Sequence, residues 1–217
     1  MESTAVTVER RVTERGELVL RTDAGHYEVI SNGVFLMDTR AGRSERLLIQ
    51  AALAAVPGNA RLLIGGLGVG FSLAEAARSE RVAEITVVEI EPALVAWHRS
   101  HLSRFSEHAL DDPRVRVVTA DIVTWLRGTD QRFDAICLDV DNGPDWTVFD
   151  GNADLYGVDG AALLRSRLRP GGVLAVWSAA HSPGYARRLA EHVGPVDTHR
   201  VEVPRGEPDV VYLAHAR

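Results

Sequence analysis

Gly65-Gly66-Leu67-Gly68-Val69-Gly70 stands between the apolar run Leu62-Leu63-Ile64 and a helical pattern that begins at Phe71. Glycines in such a turn let the backbone approach a ligand closely, and the helix behind it offers free N–H groups. A crowded strand-to-helix turn without a ligand accounts for the same residues, so the other strand ends have to decide. Glu89 closes the second apolar run, 23 residues beyond Gly66. A carboxylate there can accept hydrogen bonds from both hydroxyls of a ribose. A solvated acid opening a helix is the alternative, against which Val87, Val88 and Ile90 argue for a strand terminus. Asp121 follows the run Val115 to Thr119. It can accept from an adenine amino group while Ile122 lies against the ring, or it can N-cap the next helix, and both roles are compatible. Asp139 ends the run Phe133 to Leu138, with Asp141 and Asn142 just beyond. Two acids and an amide this close can grip an amine, although Asn142-Gly143-Pro144 also reads as a plain Asx turn.

These positions need a scaffold that brings strand ends together. From Arg61 onward short apolar runs alternate with amphipathic stretches, which predicts a mostly parallel sheet with right-handed helical crossovers. The expected strands are 62–64, 85–88, 115–119, 133–138 and 173–177, closed by an antiparallel pair at 197–203 and 209–215. The expected helices include 43–56, 71–78, 160–168 and 185–192. In such a sheet ligands bind at the carboxyl ends of the strands, where all the acids above fall. Before it, residues 1–40 read as a β-hairpin extension, because Asn32-Gly33 between Tyr27–Ser31 and Val34–Met37 is a strong hairpin signal. The division predicted is therefore a 1–40 extension and a 41–217 Rossmann-like domain. Trp146, Phe149, Tyr156 and Trp177 follow the fourth and fifth strands and are candidates for the cleft wall, with core packing the alternative.

Composition removes other chemistries. The 217 residues carry a net charge of −6, so no global basic field invites nucleic acid or an anionic membrane. All 24 basic residues are arginine, which excludes a P-loop and Schiff-base lysine chemistry. Cys137 is the single cysteine and sits in an apolar run, a buried hydrophobe rather than a nucleophile or zinc ligand. His98 and His101 have no third histidine or acid beside them and read as surface residues. No apolar stretch resembles a signal peptide or a membrane span, and a cytoplasmic protein is expected. A dinucleotide fingerprint on Gly66 and Gly68 needs Gly or Ala where Phe71 stands, which disfavours a nicotinamide dehydrogenase.

The remaining spacing, Gly66-x-Gly68-x-Gly70, is familiar from enzymes that use S-adenosylmethionine (AdoMet). With the Val29–Leu36 hairpin, Val88-Glu89-Ile90-Glu91-Pro92, Asp121, Phe133–Asp139 and Gly143-Pro144, the chain resembles the spermidine synthase family. These polyamine aminopropyltransferases share the class I AdoMet-methyltransferase fold. The resemblance implies an α/β sandwich with a mostly parallel seven-stranded sheet, and AdoMet or decarboxylated AdoMet as cofactor. It implies cofactor binding by Gly65, Gly66, Gly68, Gly70, Glu89, Ile90, Asp121 and Ile122. Asp139 and Asp141 become catalytic candidates, and Asn142, Trp146 and Tyr156 contacts to a small acceptor, expected to be an amine. The family also suggests a homodimer across the exposed edge of the N-terminal strands. Three segments depart from its pattern. The acid of the family's Gly-Gly-Gly-Asp-Gly-Gly turn falls on Gly68, its Tyr-Gln pair falls near Ser44-Glu45, and its Asp-x-x-Asp-Pro-x-Gly-Pro segment is shortened. Two rivals follow. Asp139-Val140-Asp141-Asn142 offers oxygen ligands suited to a metal-dependent O-methyltransferase, although Trp177-Ser178-Ala179-Ala180-His181 lacks the acid-Asn pair such enzymes use. A non-catalytic protein that kept the fold is the other.

Overall fold

The computed structural model describes residues 5–140, 142–147, 150–204 and 206–217. Four antiparallel strands come first: β1 (Val6–Thr13), β2 (Gly16–Asp23), β3 (His26–Ser31) and β4 (Val34–Asp38), paired in chain order. The Asn32-Gly33 turn lies where expected, but residues 6–23 form a second hairpin ahead of it. The extension is thus a sheet of its own. Leu18, Leu20 and Val29 on one face pack against Trp97, Leu94 and Leu102, which fixes the sheet beside the larger domain.

The rest alternates: α1 (Arg43–Ala55), β5 (Ala60–Gly65), α2 (Phe71–Arg78), β6 (Val82–Glu89), α3 (Pro92–His98), β7 (Val115–Thr119), α4 (Ile122–Gly128) and β8 (Phe133–Leu138). Then follow α5 (Ala153–Tyr156), α6 (Val158–Ser166), β9 (Leu168–Ser178), α7 (Pro183–His192), β10 (Val196–Val201) and β11 (Asp209–His215). The seven-stranded sheet has the order β10-β11-β9-β8-β5-β6-β7, with every strand running the same way except β11, which is antiparallel to both its neighbours β9 and β10. Its central strands are β-branched or leucine-rich runs without alternation because helices cover both faces. Leu62, Leu63, Ile64, Ile136, Cys137 and Leu138 are fully buried. α1 and α2 cover one face, and α4 to α7 the other. Pro92 and Pro183 open their helices at the first turn, where a missing N–H costs nothing. The expected helix at 160–168 begins and ends two residues earlier, because Leu168 already pairs with Phe133.

The order in which strands are added reverses at β5, which has β6 on one side and β8 on the other, both parallel to it. The crevice above the carboxyl ends of β5 and β8 is therefore the switch point where this architecture binds ligands. Among the described residues, no helix is long and apolar enough to cross a membrane.

Trp97 is 1% exposed and joins the small sheet to α3. Its truncation, Trp97→Ala, is expected to cost about 3–5 kcal/mol. Urea unfolding monitored by circular dichroism measures the loss; a cost below 1 kcal/mol contradicts this packing.

Candidate active site

A cleft of about 800 Å³ opens at the switch point, lined by residues 66–70 of the glycine turn, Glu89, Ile90, Asp121, Ile122 and Asp139, and walled by Leu36 and Met37 of the small sheet. Gly65, expected among the contacts, ends β5 against Leu138 and Ile122 and does not line it. Gly66, Gly68 and Gly70 have φ of +86°, +51° and +96°, a region that side chains with a Cβ avoid. At Gly66 a Cβ would lie 2.1 Å from the Asp139 carbonyl oxygen. Only glycine lets the turn after β5 pass so close to the end of β8. The N–H groups of Gly68 and Val69 have no acceptor among the described residues, so the turn faces the cleft with free donors.

Glu89 fastens this turn. Its Oε2 accepts from the Leu67 N–H at 2.8 Å and its Oε1 from the Glu91 N–H at 2.7 Å. The carboxyl is only 5% exposed, and burial pushes its pKa up against the lowering effect of those two bonds. Each oxygen keeps a further lone pair for a hydroxyl. Asp121 caps α4, its Oδ1 accepting from the Thr124 N–H at 2.7 Å, and it also lines the cleft with buried Ile122. Both compatible roles thus remain available to it. Free turn amides, a fixed carboxylate and an apolar slot beside an acid fit an adenosyl group.

The other end of the cleft is acidic beyond what the sequence suggested. Asp139 lies there with Ser72 Oγ 3.4 Å from its Oδ2. Glu45 from the first turn of α1 and Asp209 from the start of β11 join it. The Ser44 hydroxyl sits between these two, 2.9 Å from Glu45 Oε2 and 2.6 Å from Asp209 Oδ2. Burial, then the charges of Glu45 and Asp209, push the Asp139 pKa up to about 7. Burial likewise raises Glu45 and Asp209. None of the three forms an ion pair among the described residues.

Some expected site residues lie elsewhere. Asn142 lines the cleft, but Trp146 is 63% exposed and outside it. Tyr156 is 3% exposed and packs edge-on against Tyr185, because α5 turns it into the core between α6 and α7. Trp177 does line the cleft. Asp141 and Phe149 fall outside the described residues. His98 is not a surface residue: its ring is 1% exposed under the glycine turn, with Nε2 2.9 Å from the Gly68 carbonyl oxygen. Glu45 and Asp209 were missed because neither follows a parallel strand. The readable clue was topological: an antiparallel last strand presents its first residue at the ligand-binding edge.

A protein-family model for the spermine/spermidine synthase domain matches residues 43–193. Polyamine aminopropyltransferase 1 of Streptomyces coelicolor is 38% identical over 146 residues, 66% of this chain and 26% of that protein. Polyamine aminopropyltransferase 2 of Pseudomonas aeruginosa is 30% identical over 213 residues, 90% of this chain and 59% of that protein. The chain therefore spans between a quarter and three fifths of these relatives. A crystal structure of spermidine synthase with the transition-state analogue AdoDATO superposes with a TM-score of 0.80 at 17% identity, covering 96% of this chain and 73% of the other. Spermidine synthase from Thermotoga maritima superposes with a TM-score of 0.77 at 16% identity, covering 96% and 72%. At these identities the superpositions establish the α/β fold and its seven-stranded sheet.

A raised carboxyl pKa has a stability consequence. The folded state holds the Asp139 proton up to about pH 7, the unfolded chain only to about 4. The folded state therefore binds more protons in that window, and stability falls as pH rises through it. Asp139→Asn is expected to raise the melting temperature of the ligand-free protein at pH 8 and to leave it nearly unchanged at pH 4. Thermal melts at the two values check this; equal shifts at both contradict it.

Proposed function

The chain belongs to the spermine/spermidine synthase family, and from that premise we propose that it is a transferase moving an aminopropyl group from decarboxylated AdoMet to a small amine. One observation carries the reading: three carboxylates, Glu45, Asp139 and Asp209, gather in one cleft and, among the described residues, none of them forms an ion pair, the charge of Arg46 easing only Glu45. A cationic acceptor supplies the missing charge.

The bound donor supplies a sulfonium-activated carbon; the chain supplies the rest. An amine with pKa near 10 is about 0.1% neutral at pH 7, a handicap of roughly 4 kcal/mol. An ordinary carboxylate is a poor base for that proton, but one raised to about 7 is better matched. Asp139 holds the ammonium by charge and takes one of its protons; the neutral nitrogen, its lone pair aimed at the activated carbon, then forms the new bond as the carbon–sulfur bond breaks and the thioether leaves. Glu45 and Asp209 hold the remaining positive charge of the acceptor. Trp177, Leu36 and Met37 exclude water from the reacting atoms. Cytoplasmic location and pairing of two copies through the small sheet belong to the same proposal. The exposed Val6, Val12 and Val34 on that sheet support the pairing.

A second reading, with AdoMet itself as donor, is favoured by the turn. Where the family carries an acid, Gly68 leaves free amides, which suit a carboxylate better than an ammonium.

Incubation with each donor and a panel of amines, followed by product masses, decides the transferred group; the thioether by-product names the donor. The kcat/KM for the acceptor should fall as pH drops below about 7, where Asp139 is protonated and loses its hold on the cation. Asp139→Asn should lose most turnover. Full turnover in that variant, or no product with any amine, contradicts the proposal.

The donor choice has its own test. Position 68 has φ +51°, which Asp tolerates better than most residues, and a Cβ there meets only Met37 Sδ at 3.7 Å. Gly68→Asp should fold and raise the affinity ratio of decarboxylated AdoMet over AdoMet by about tenfold, by adding a charge-assisted hydrogen bond to the aminopropyl ammonium. Calorimetry with both compounds reads the ratio; an unchanged ratio places the ammonium elsewhere.

A further inference from the structure

His98 is a buried titratable group that the proposed chemistry does not use. It ends α3, lies 1% exposed and forms the floor of the glycine turn with buried Ser106. A Cβ on Gly70 would lie 2.6 Å from His98 Cε1 and 2.7 Å from Ser106 Cβ, so the turn rests directly on these two side chains. The partner of Nε2 is the Gly68 carbonyl oxygen at 2.9 Å. A carbonyl only accepts, so Nε2 carries the hydrogen. Burial lowers the ring pKa, and Nδ1 is buried without a partner among the described residues, a position that a bare nitrogen occupies at less cost than a second N–H.

The other bonds in the turn leave one peptide to His98. Gly66 N–H is bound by the Val88 carbonyl, Leu67 N–H by Glu89, and Gly70 N–H by the Leu67 carbonyl. Among the described residues the peptide joining Gly68 to Val69 has only the His98 bond. Glycine at 68 places few limits on rotation, and the space above it is open apart from Met37. In a trans peptide the carbonyl and the following N–H point in opposite directions. Holding the Gly68 oxygen down on His98 therefore turns the Val69 N–H up into the cleft that both residues line.

We propose that His98 is a positioning residue for donor binding, locking the Gly68–Val69 peptide so that the Val69 amide faces the donor. The inference rests on the reading of the cleft as an adenosyl site. Without the bond the peptide can flip and present a carbonyl oxygen where a donor N–H is needed.

Three measurements test it. His98→Gln keeps an N–H of similar reach and should bind the donor within about threefold of wild type. His98→Leu removes it and should weaken donor binding about 5- to 10-fold, the scale of one neutral hydrogen bond. The acceptor KM at saturating donor should not move in either variant. In the ligand-free wild-type protein, ring-nitrogen NMR should show a neutral imidazole protonated at Nε2. A His98→Leu variant that binds donor like wild type, or a ring protonated at Nδ1, overturns the inference alone. Wild-type protein that binds neither AdoMet nor its decarboxylated form overturns the functional reading and this inference with it.

Discussion

The site depends on one buried carboxylate bridging two backbone amides. Glu89 ends β6, yet its oxygens hold Leu67 in the turn after β5 and Glu91 at the entry to α3. Burying a charge is costly, and the raised pKa of Glu89 records that cost. The charge-assisted bonds offset part of it and join two neighbouring strand ends into a single rigid rim. Neighbouring contacts extend the same rim. Arg15 from the β1–β2 turn bonds Glu91 Oε1 at 2.5 Å and the Ile90 carbonyl at 2.9 Å, tying the small sheet to it. His98 supports the turn from below. Remove Glu89 and the turn, the helix entry and the docked sheet lose their common anchor.

The acidic cluster beside this rim is built on repulsion. Asp139, Glu45 and Asp209 come from three elements distant in sequence, and each raises the proton affinity of the group beside it or is raised by burial. Ser44 mediates between two of them but brings no positive charge. Such an arrangement weakens the empty protein at neutral pH, and a fold retains it where a cation compensates. Stability and binding are coupled here through the same three protons.

Much of this was legible in the sequence where physics is local. Runs such as Ile85–Val88 and Phe133–Leu138 read as buried strands, and the rule that parallel strands offer their carboxyl ends placed Glu89, Asp121 and Asp139 on one cleft. The rest depends on contacts that no window of sequence contains. Asp209 reaches the cleft because β11 runs antiparallel beside β9, and Glu45 because the first turn of α1 overhangs the same edge. His98 looked solvent-facing because its partner is a backbone carbonyl thirty positions away rather than a side chain. Trp146 and Tyr156 were placed by their order after a strand. That order says where the chain goes next but not which way a ring turns.

The departures from the family pattern make physical sense together. A turn acid at position 68 would put a charge beside Glu89, in a rim already carrying a buried carboxylate. Here that position is glycine, its carbonyl held down and its amides free. The negative charge instead stands on the first turn of α1 and the start of β11, grouped with Asp139 around Ser72 and Ser44. On the proposed reading, this separates the work of the two sides. Neutral amides and one carboxylate grip the nucleoside, while the trio of Asp139, Glu45 and Asp209 attracts the cation. Donor and acceptor are then drawn to neighbouring parts of one cleft, with Asp139 at the end of β8, against Gly66, as the residue that meets both.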